Sequence, residues 1–282
     1  MNYQWYPGHM TKAMRMMQED IKLIDLVIEL LDARIPLASK NPDIDKLAQN
    51  KYRMILLNKS DLANDSATKK WTEYFEGKGY TVVKIDSRNG GGIKKIIPAI
   101  QEACKEKIER DLKRGIKNRP VRAMVVGIPN VGKSTFINSL AGKACAKTGN
   151  KPGVTKGKQW IRLNKNVELL DTPGVLWPKF EDQRVGMMLA FIGSINDEII
   201  DSQELAVDMI DFLRNDYHDL FEERYNITMN TDNYDILVQI AQDRHCLIKG
   251  GEYDTNKAAK ILIDDFRSGK LGLITLEEPS DE

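Results

Sequence analysis

Gly127-Ile128-Pro129-Asn130-Val131-Gly132-Lys133-Ser134 sets two glycines, a lysine and a hydroxyl at the spacing of a loop that wraps phosphate. The glycines let the backbone curl so that its N–H groups point at phosphate oxygens, and a following helix adds the positive potential of its N-terminus. In such a loop Lys133 neutralises the β- and γ-phosphates and the Ser134 hydroxyl ligates Mg²⁺; Asn130, Val131, Gly132 and Thr135 complete the nucleotide contacts. Downstream, Asp171-Thr172-Pro173-Gly174 offers a carboxylate for the Mg²⁺ hydration shell and, at Gly174, an N–H for the γ-phosphate. Between the two motifs, Thr155 of Pro152-Gly153-Val154-Thr155 is the candidate for a second Mg²⁺ oxygen. Loss of the γ-phosphate would release both contacts, the behaviour of a conformational switch.

Asn58-Lys59-Ser60-Asp61 directly follows an apolar run. A carboxylate at Asp61 accepts two hydrogen bonds from guanine, at N1–H and the 2-amino group. Adenine lacks that amino group and turns a lone pair toward the carboxylate, so discrimination rests on leaving buried polar groups unpaired. Asn58 can bind loop backbone and the base edge, the Lys59 stem can cover the ring face, and the Ser87 N–H can reach guanine O6. Four such residues also make an ordinary turn; a phosphate loop in the same chain favours GTP and GDP as ligands.

These residues need strands and helices to hold them. Leu26–Leu31, Met54–Leu57, Thr81–Ile85 and Ala123–Val126 are short apolar runs bounded by polar residues or glycine, the pattern of strands buried on both faces. Helical stretches alternate with them at Thr11–Ile24, Asp43–Gln49, Ser66–Gly77 and Ile93–Lys113, and Gln159–Leu163 with Val167–Leu170 reads as a hairpin. The alternation predicts an α/β fold: a mostly parallel sheet flanked by helices, carrying a phosphate loop. Beyond Trp177-Pro178 the pattern turns helical, at Val185–Ile195, Ser202–Leu213, Asn233–Arg244 and Thr255–Arg267. A nucleotide-binding domain over 1–178 and a smaller all-helical domain over 179–282 are expected.

The 282 residues are 41% hydrophobic and 29% charged, the mix of a soluble globular protein, with no apolar run near the roughly 20 residues that cross a bilayer. Three scattered cysteines argue against a disulfide framework or a zinc site and fit a reducing compartment. A net charge of +1 hides an asymmetry: 34 basic against 22 acidic residues up to Ile200, then 8 basic against 19 acidic. From Lys143 to Lys165 seven residues are basic (Lys143, Lys147, Lys151, Lys156, Lys158, Arg162, Lys165) and none is acidic, which suits backbone phosphates of a polyanion or a solvated loop.

Common GTPases place the phosphate loop first and the guanine reader last, whereas here Asp61 precedes Gly127. The order resembles that of circularly permuted GTPases. With Trp5-Tyr6-Pro7-Gly8-His9-Met10, Asp32-Ala33-Arg34-Ile35-Pro36 and Leu176-Trp177-Pro178-Lys179-Phe180, the likeness is to the bacterial ribosome biogenesis GTPase A family over nearly the whole chain. That resemblance implies GTP hydrolysis in assembly of the large (50S) ribosomal subunit, ribosomal RNA and a subunit precursor as partners, the helical domain over 179–282 as a further RNA contact, and a cytoplasmic location. A monomer with neither DNA nor membrane contact is expected. Val175 and Leu176 stand where many GTPases carry a water-orienting glutamine, so another group must serve. The resemblance puts His9 near the γ-phosphate; His9 as a pin for the N-terminal loop is the other reading. Lys133, Thr155 and Gly174 join His9 as residues of the hydrolytic step. Asn130 resembles the asparagine of potassium-activated GTPases, a candidate K⁺ contact, or else stabilises the turn. The alternative overall is a nucleotide-dependent RNA-binding module whose hydrolysis is incidental.

Overall fold

Seven consecutive buried residues make β1 (Leu26–Asp32) the centre of a six-stranded sheet in a computed structural model that describes residues 3, 5–117, 119–143, 145–146 and 159–280. It pairs in parallel with β2 (Tyr52–Asn58) on one side and β4 (Val121–Gly127) on the other. Outside these lie β3 (Thr81–Lys84), parallel to β2, and β6 (Val167–Asp171), parallel to β4; β5 (Gln159–Arg162) closes the edge antiparallel to β6. The order is β3-β2-β1-β4-β6-β5. Strands covered on both faces are apolar nearly throughout. Away from the strand ends, Glu29 inside β1 is a buried charge, and Arg53 Nη2 (3.0 Å) and the Asn41 N–H (3.2 Å) satisfy it.

Parallel neighbours require crossovers, and helices supply them. The flanking helices are α1 (Gly8–Asp20), α2 (Pro42–Leu47), α3 (Asp65–Gly77), α4 (Ile96–Ala103), α5 (Lys105–Lys113) and α6 (Lys133–Ala141). In α3 the Asn64 side chain caps the start by accepting from the Ala67 N–H, while Ala67, Trp71 and Phe75, four apart, bury one face. The helix read from Thr11 starts a turn earlier, at Gly8 behind the extended Pro7, and passes into a 3-10 turn at Ile21–Leu23. The single helix read over Ile93–Lys113 is a 3-10 turn followed by α4 and α5, interrupted at buried Cys104. Apolar periodicity carries no mark of that break.

Contacts divide the chain into two units, Gln4–Glu181 with Thr275–Glu282, and Met1–Tyr3 with Asp182–Ile274. The second is helical: α7 (Gln183–Phe191), α8 (Ser202–Leu213), α9 (His218–Tyr225), α10 (Asn233–Asp243) and α11 (Thr255–Ser268). Asp182, Asp201, Asp232 and Asp254 each accept a first-turn N–H, so four of these helices open on an aspartate cap. No helix is expected from the sequence at α9, because only Phe221 and Tyr225 bury from it, too sparse a stripe to register as periodic.

Candidate nucleotide-binding site

The phosphate-loop segment runs from the end of β4 into the N-terminus of α6. Gly132 has φ 102°, and a Cβ there would lie 2.4 Å from Asn58 Nδ2, so only glycine fits. Asn130 is left-handed as well (φ 58°), a conformation asparagine tolerates better than most residues. Lys133 is buried and donates from Nζ to the carbonyls of Gly127 (3.0 Å) and Ile128 (2.9 Å). Burial pulls its pKa down to about 8, against the opposing pull of Asp171. Ser134 and Thr135 are half-buried in the first turn of α6.

Asp171 ends β6 on the same side of the sheet. Thr172 Oγ1 donates to the Val125 carbonyl (2.7 Å) and the Val175 N–H to that of Gly127 (3.2 Å), laying residues 171–175 along the loop. Contact is close enough that a Cβ on Gly174 would come within 2.8 Å of the Pro129 backbone and 3.0 Å of Lys133 Nζ. Burial lifts the Asp171 carboxyl to about 6, opposed by Lys133 and by the Thr172 N–H. Its Oδ1 is buried and makes no hydrogen bond. An orphaned carboxylate oxygen beside a hydroxyl-bearing loop fits a hydrated Mg²⁺, a cation that takes one or two carboxylates plus phosphate and water oxygens. No cluster of three or more His, Cys, Asp or Glu suited to a metal occurs among the described residues.

Asn58, at the end of β2, binds in two directions. Its Nδ2 donates to the Val131 carbonyl (2.7 Å), and its Oδ1 accepts from the Ser87 N–H (3.2 Å) and Ser87 Oγ (2.8 Å). Thus Asn58 and Ser87 meet the phosphate loop at one buried junction. Lys59 is left-handed (φ 58°) and its Nζ lies 3.0 Å from Asp32 Oδ2. Although burial opposes ionisation, the Arg34 and Lys59 charges hold Asp32 well below the ordinary carboxylate range. Asp61 is exposed at the rim, where partial desolvation and the Asp86 carboxylate raise its pKa.

His9 is exposed in the first turn of α1, its ring edge-on to Trp5 at 6.2 Å between centroids. The adjoining Met10 is fully buried, and its sulfur accepts from the Leu176 N–H (3.4 Å), fastening α1 to the chain just beyond Gly174. Thr155 lies outside the described residues, as do Lys147, Lys151, Lys156 and Lys158; Lys143, Arg162 and Lys165 are exposed. Sequence reasoning missed Asn41, whose Nδ2 donates to the Val175 carbonyl (3.2 Å), and gave Asp32, Arg34 and Met10 no task. A polar residue at the carboxyl end of a buried strand was the available signal for Asp32, as it was for Asn58 and Asp171.

Two family models match the chain: "50S ribosome-binding GTPase" over residues 122–241 and "RsgA GTPase" over residues 46–181. The chain is 48% identical to Ribosome biogenesis GTPase A of Bacillus cereus across 99% of itself and 94% of that protein. With the protein of that name from Thermotoga maritima it shares 33% identity across 98% and 95%. A crystal structure of GNP-bound YlqF from T. maritima superposes with a TM-score of 0.67 at 31% identity, covering 96% of this chain and all of that one.

Proposed function

The chain belongs to the ribosome biogenesis GTPase A family and is a GTP-hydrolysing enzyme, and on that premise we propose that it serves assembly of the large (50S) ribosomal subunit, binding precursor ribosomal RNA with GTP and leaving on hydrolysis. The observation that carries the reading is the Asn58 junction, which sets Ser87 and the Asn58–Asp61 segment beside the phosphate loop. In this reading Asn58, Lys59, Asp61 and the Ser87 N–H receive guanine. Asn130, Val131, Gly132, Lys133, Ser134 and Thr135 hold the phosphates, and the Gly174 N–H meets the γ-phosphate. Ser134, Asp171 and Thr155 would hold Mg²⁺, which supplies charge neutralisation at the β- and γ-phosphate oxygens.

Val175 and Leu176 are fully buried and apolar, so neither can orient water. His9, one residue from the Met10–Leu176 bond, is the group available to do so when the protein docks on the particle. Burial lowers the Lys133 pKa to about 8, and a phosphate beside the ammonium would favour its charged form. Asn130 is the candidate K⁺ contact. For RNA, the exposed Arg162 and Lys165 are joined on the edge hairpin by exposed Trp160, over whose ring Arg122 lies at 5.5 Å, and exposed Lys143 follows α6. Arginine paired with an exposed aromatic suits a stacked base flanked by phosphates. No described helix is long and apolar enough to cross a membrane, and we place the protein, as a monomer, in the cytoplasm.

The buried apolar pair at Val175 and Leu176 also favours a second reading, an RNA-binding module in which hydrolysis is incidental. GTP turnover by the purified chain, with and without large subunits, separates the two. Stimulation by the particle, with cross-links to its RNA in the GTP state only, is the expected result; turnover indifferent to the particle would refute the assembly reading.

A further inference from the structure

The segment that follows the helical unit returns to the α/β unit and makes a dense set of bonds there. Thr275 Oγ1 accepts from the Asn64 N–H (3.0 Å), the Leu276 N–H donates to the Arg34 carbonyl (2.8 Å), and Trp71 Nε1 donates to the Glu277 carbonyl (3.0 Å). The Glu277 carboxylate accepts from the N–H groups of Leu37 (2.9 Å) and Ala38 (3.0 Å), capping the helical turn Ile35 to Ser39. That turn is closed by the Ser39 N–H to the Ile35 carbonyl (2.9 Å). A carboxylate on two amides at the start of a turn satisfies donors that otherwise have no partner.

The turn in turn grips the end of β1. Ser39 Oγ donates to the Ile35 carbonyl (2.7 Å) and accepts from the Asp32 N–H (3.0 Å). Asp32 receives Arg34 through Nε (2.9 Å), Nη2 (2.8 Å) and the backbone N–H (3.1 Å), and Lys59 through Nζ (3.0 Å). The Ala33 N–H donates to the Asn58 carbonyl (2.8 Å). Asp32, Arg34, Ser39 and Asn58 are all essentially without solvent exposure, so the path from Glu277 to Lys59 runs through fixed, fully bonded groups.

We infer that Glu277 is a positioning residue for recognition of the base: it fixes the Ile35–Ser39 turn, the turn fixes Asp32 and Arg34, and these hold Lys59 and the Asn58 backbone where guanine is read. The inference rests on the reading that Asn58, Lys59 and Asp61 receive guanine. It assigns a task to the Asp32-Ala33-Arg34 motif and to a tail segment distant in sequence from every nucleotide motif.

The test is equilibrium binding of fluorescent GDP to the full-length chain and to Glu277→Ala, Glu277→Gln, Lys59→Ala, Asp61→Ala and the Glu277→Ala/Lys59→Ala double variant. Glu277→Ala should weaken binding about fivefold, the lower end of coupling between linked sites. Glu277→Gln, which keeps one acceptor oxygen for the two amides, should recover part of the loss. In the Lys59→Ala background Glu277→Ala should cost clearly less than it does alone, since a double-mutant cycle reports shared partners as non-additivity. A merely structural glutamate would leave binding unchanged or give additive losses, and either result overturns the inference. If Lys59→Ala and Asp61→Ala themselves bind GDP normally, the assignment of the base site fails first.

Discussion

Asn58 Nδ2 donates 2.7 Å to the carbonyl of Val131, a residue 73 positions further along the chain, while its Oδ1 takes both hydrogens offered by Ser87. One side chain thereby ties three loops at the carboxyl ends of β2, β3 and β4. Replacing it with alanine removes the partner of the Val131 carbonyl and of the Ser87 N–H and hydroxyl, at a cost of about 1–3 kcal/mol for each group left stranded away from water. Asn58→Ala should therefore lower the melting temperature of the unliganded protein and weaken GDP and GTP alike. Calorimetric unfolding with nucleotide titration checks both, and normal affinity would deny Asn58 its bridging role.

Asp61 stands exposed at the rim, where its carboxylate can accept from a base edge. In Asp61→Asn one oxygen acceptor becomes a donor, which opposes the guanine 2-amino group and suits the C2 carbonyl of xanthine. GTP affinity should fall by at least about 100-fold while XTP affinity rises, because a site built for hydrogen bonds rejects a mismatched partner strongly. Competition binding with GTP, XTP and ATP reads the outcome; a variant still preferring GTP would remove Asp61 from base recognition.

Lys133 and Asp171 make stability depend on pH in opposite senses. The Asp171 pKa rises from its ordinary 3.8 to about 6, so between those values the folded state binds more protons and stability falls as pH increases. The Lys133 pKa drops from 10.5 to about 8, so between about pH 8 and 10 the unfolded state binds more protons and stability climbs with pH. Asp171→Asn should flatten the acid limb and Lys133→Met the alkaline limb of melting temperature against pH for the unliganded protein. An unaltered acid limb in Asp171→Asn would show that other groups set it.

His9 and Met10 should separate by experiment. His9→Ala, at an exposed position, should keep GTP affinity and lower particle-stimulated turnover by about 100-fold, the low end for a lost general base. Met10→Ala removes a fully buried side chain and should cost about 2–5 kcal/mol of stability. Undiminished stimulated turnover in His9→Ala would leave the histidine a structural pin.

Asn130 offers a simple ionic test. Hydrolysis should run faster in KCl than in NaCl, and Asn130→Gly, which keeps the left-handed backbone at φ 58°, should lose that difference while retaining its fold. Equal rates in the two salts would exclude K⁺ from the reaction.

The parallel α/β sheet, the phosphate loop on its strand-to-helix turn and the helical character of the later chain were legible in the sequence, because each is written in residues close together. Buried parallel strands must be mostly apolar, a phosphate loop needs glycine at Gly132 where φ is positive and a Cβ would clash, and helical stretches repeat apolar residues at helical spacing. The strand order and the packing of helices and loops on the sheet were not legible, and they carry Asn58 to Val131, Asn41 to Val175 and Met10 to Leu176. Nor did any local pattern show that Glu277 caps the turn after β1, or that Asp32 holds Lys59. Those bonds join residues tens to hundreds of positions apart. Their partners are chosen by which buried surfaces pack together, and a composition of polar residues at strand ends states only that each must find a partner, while the tertiary structure decides which.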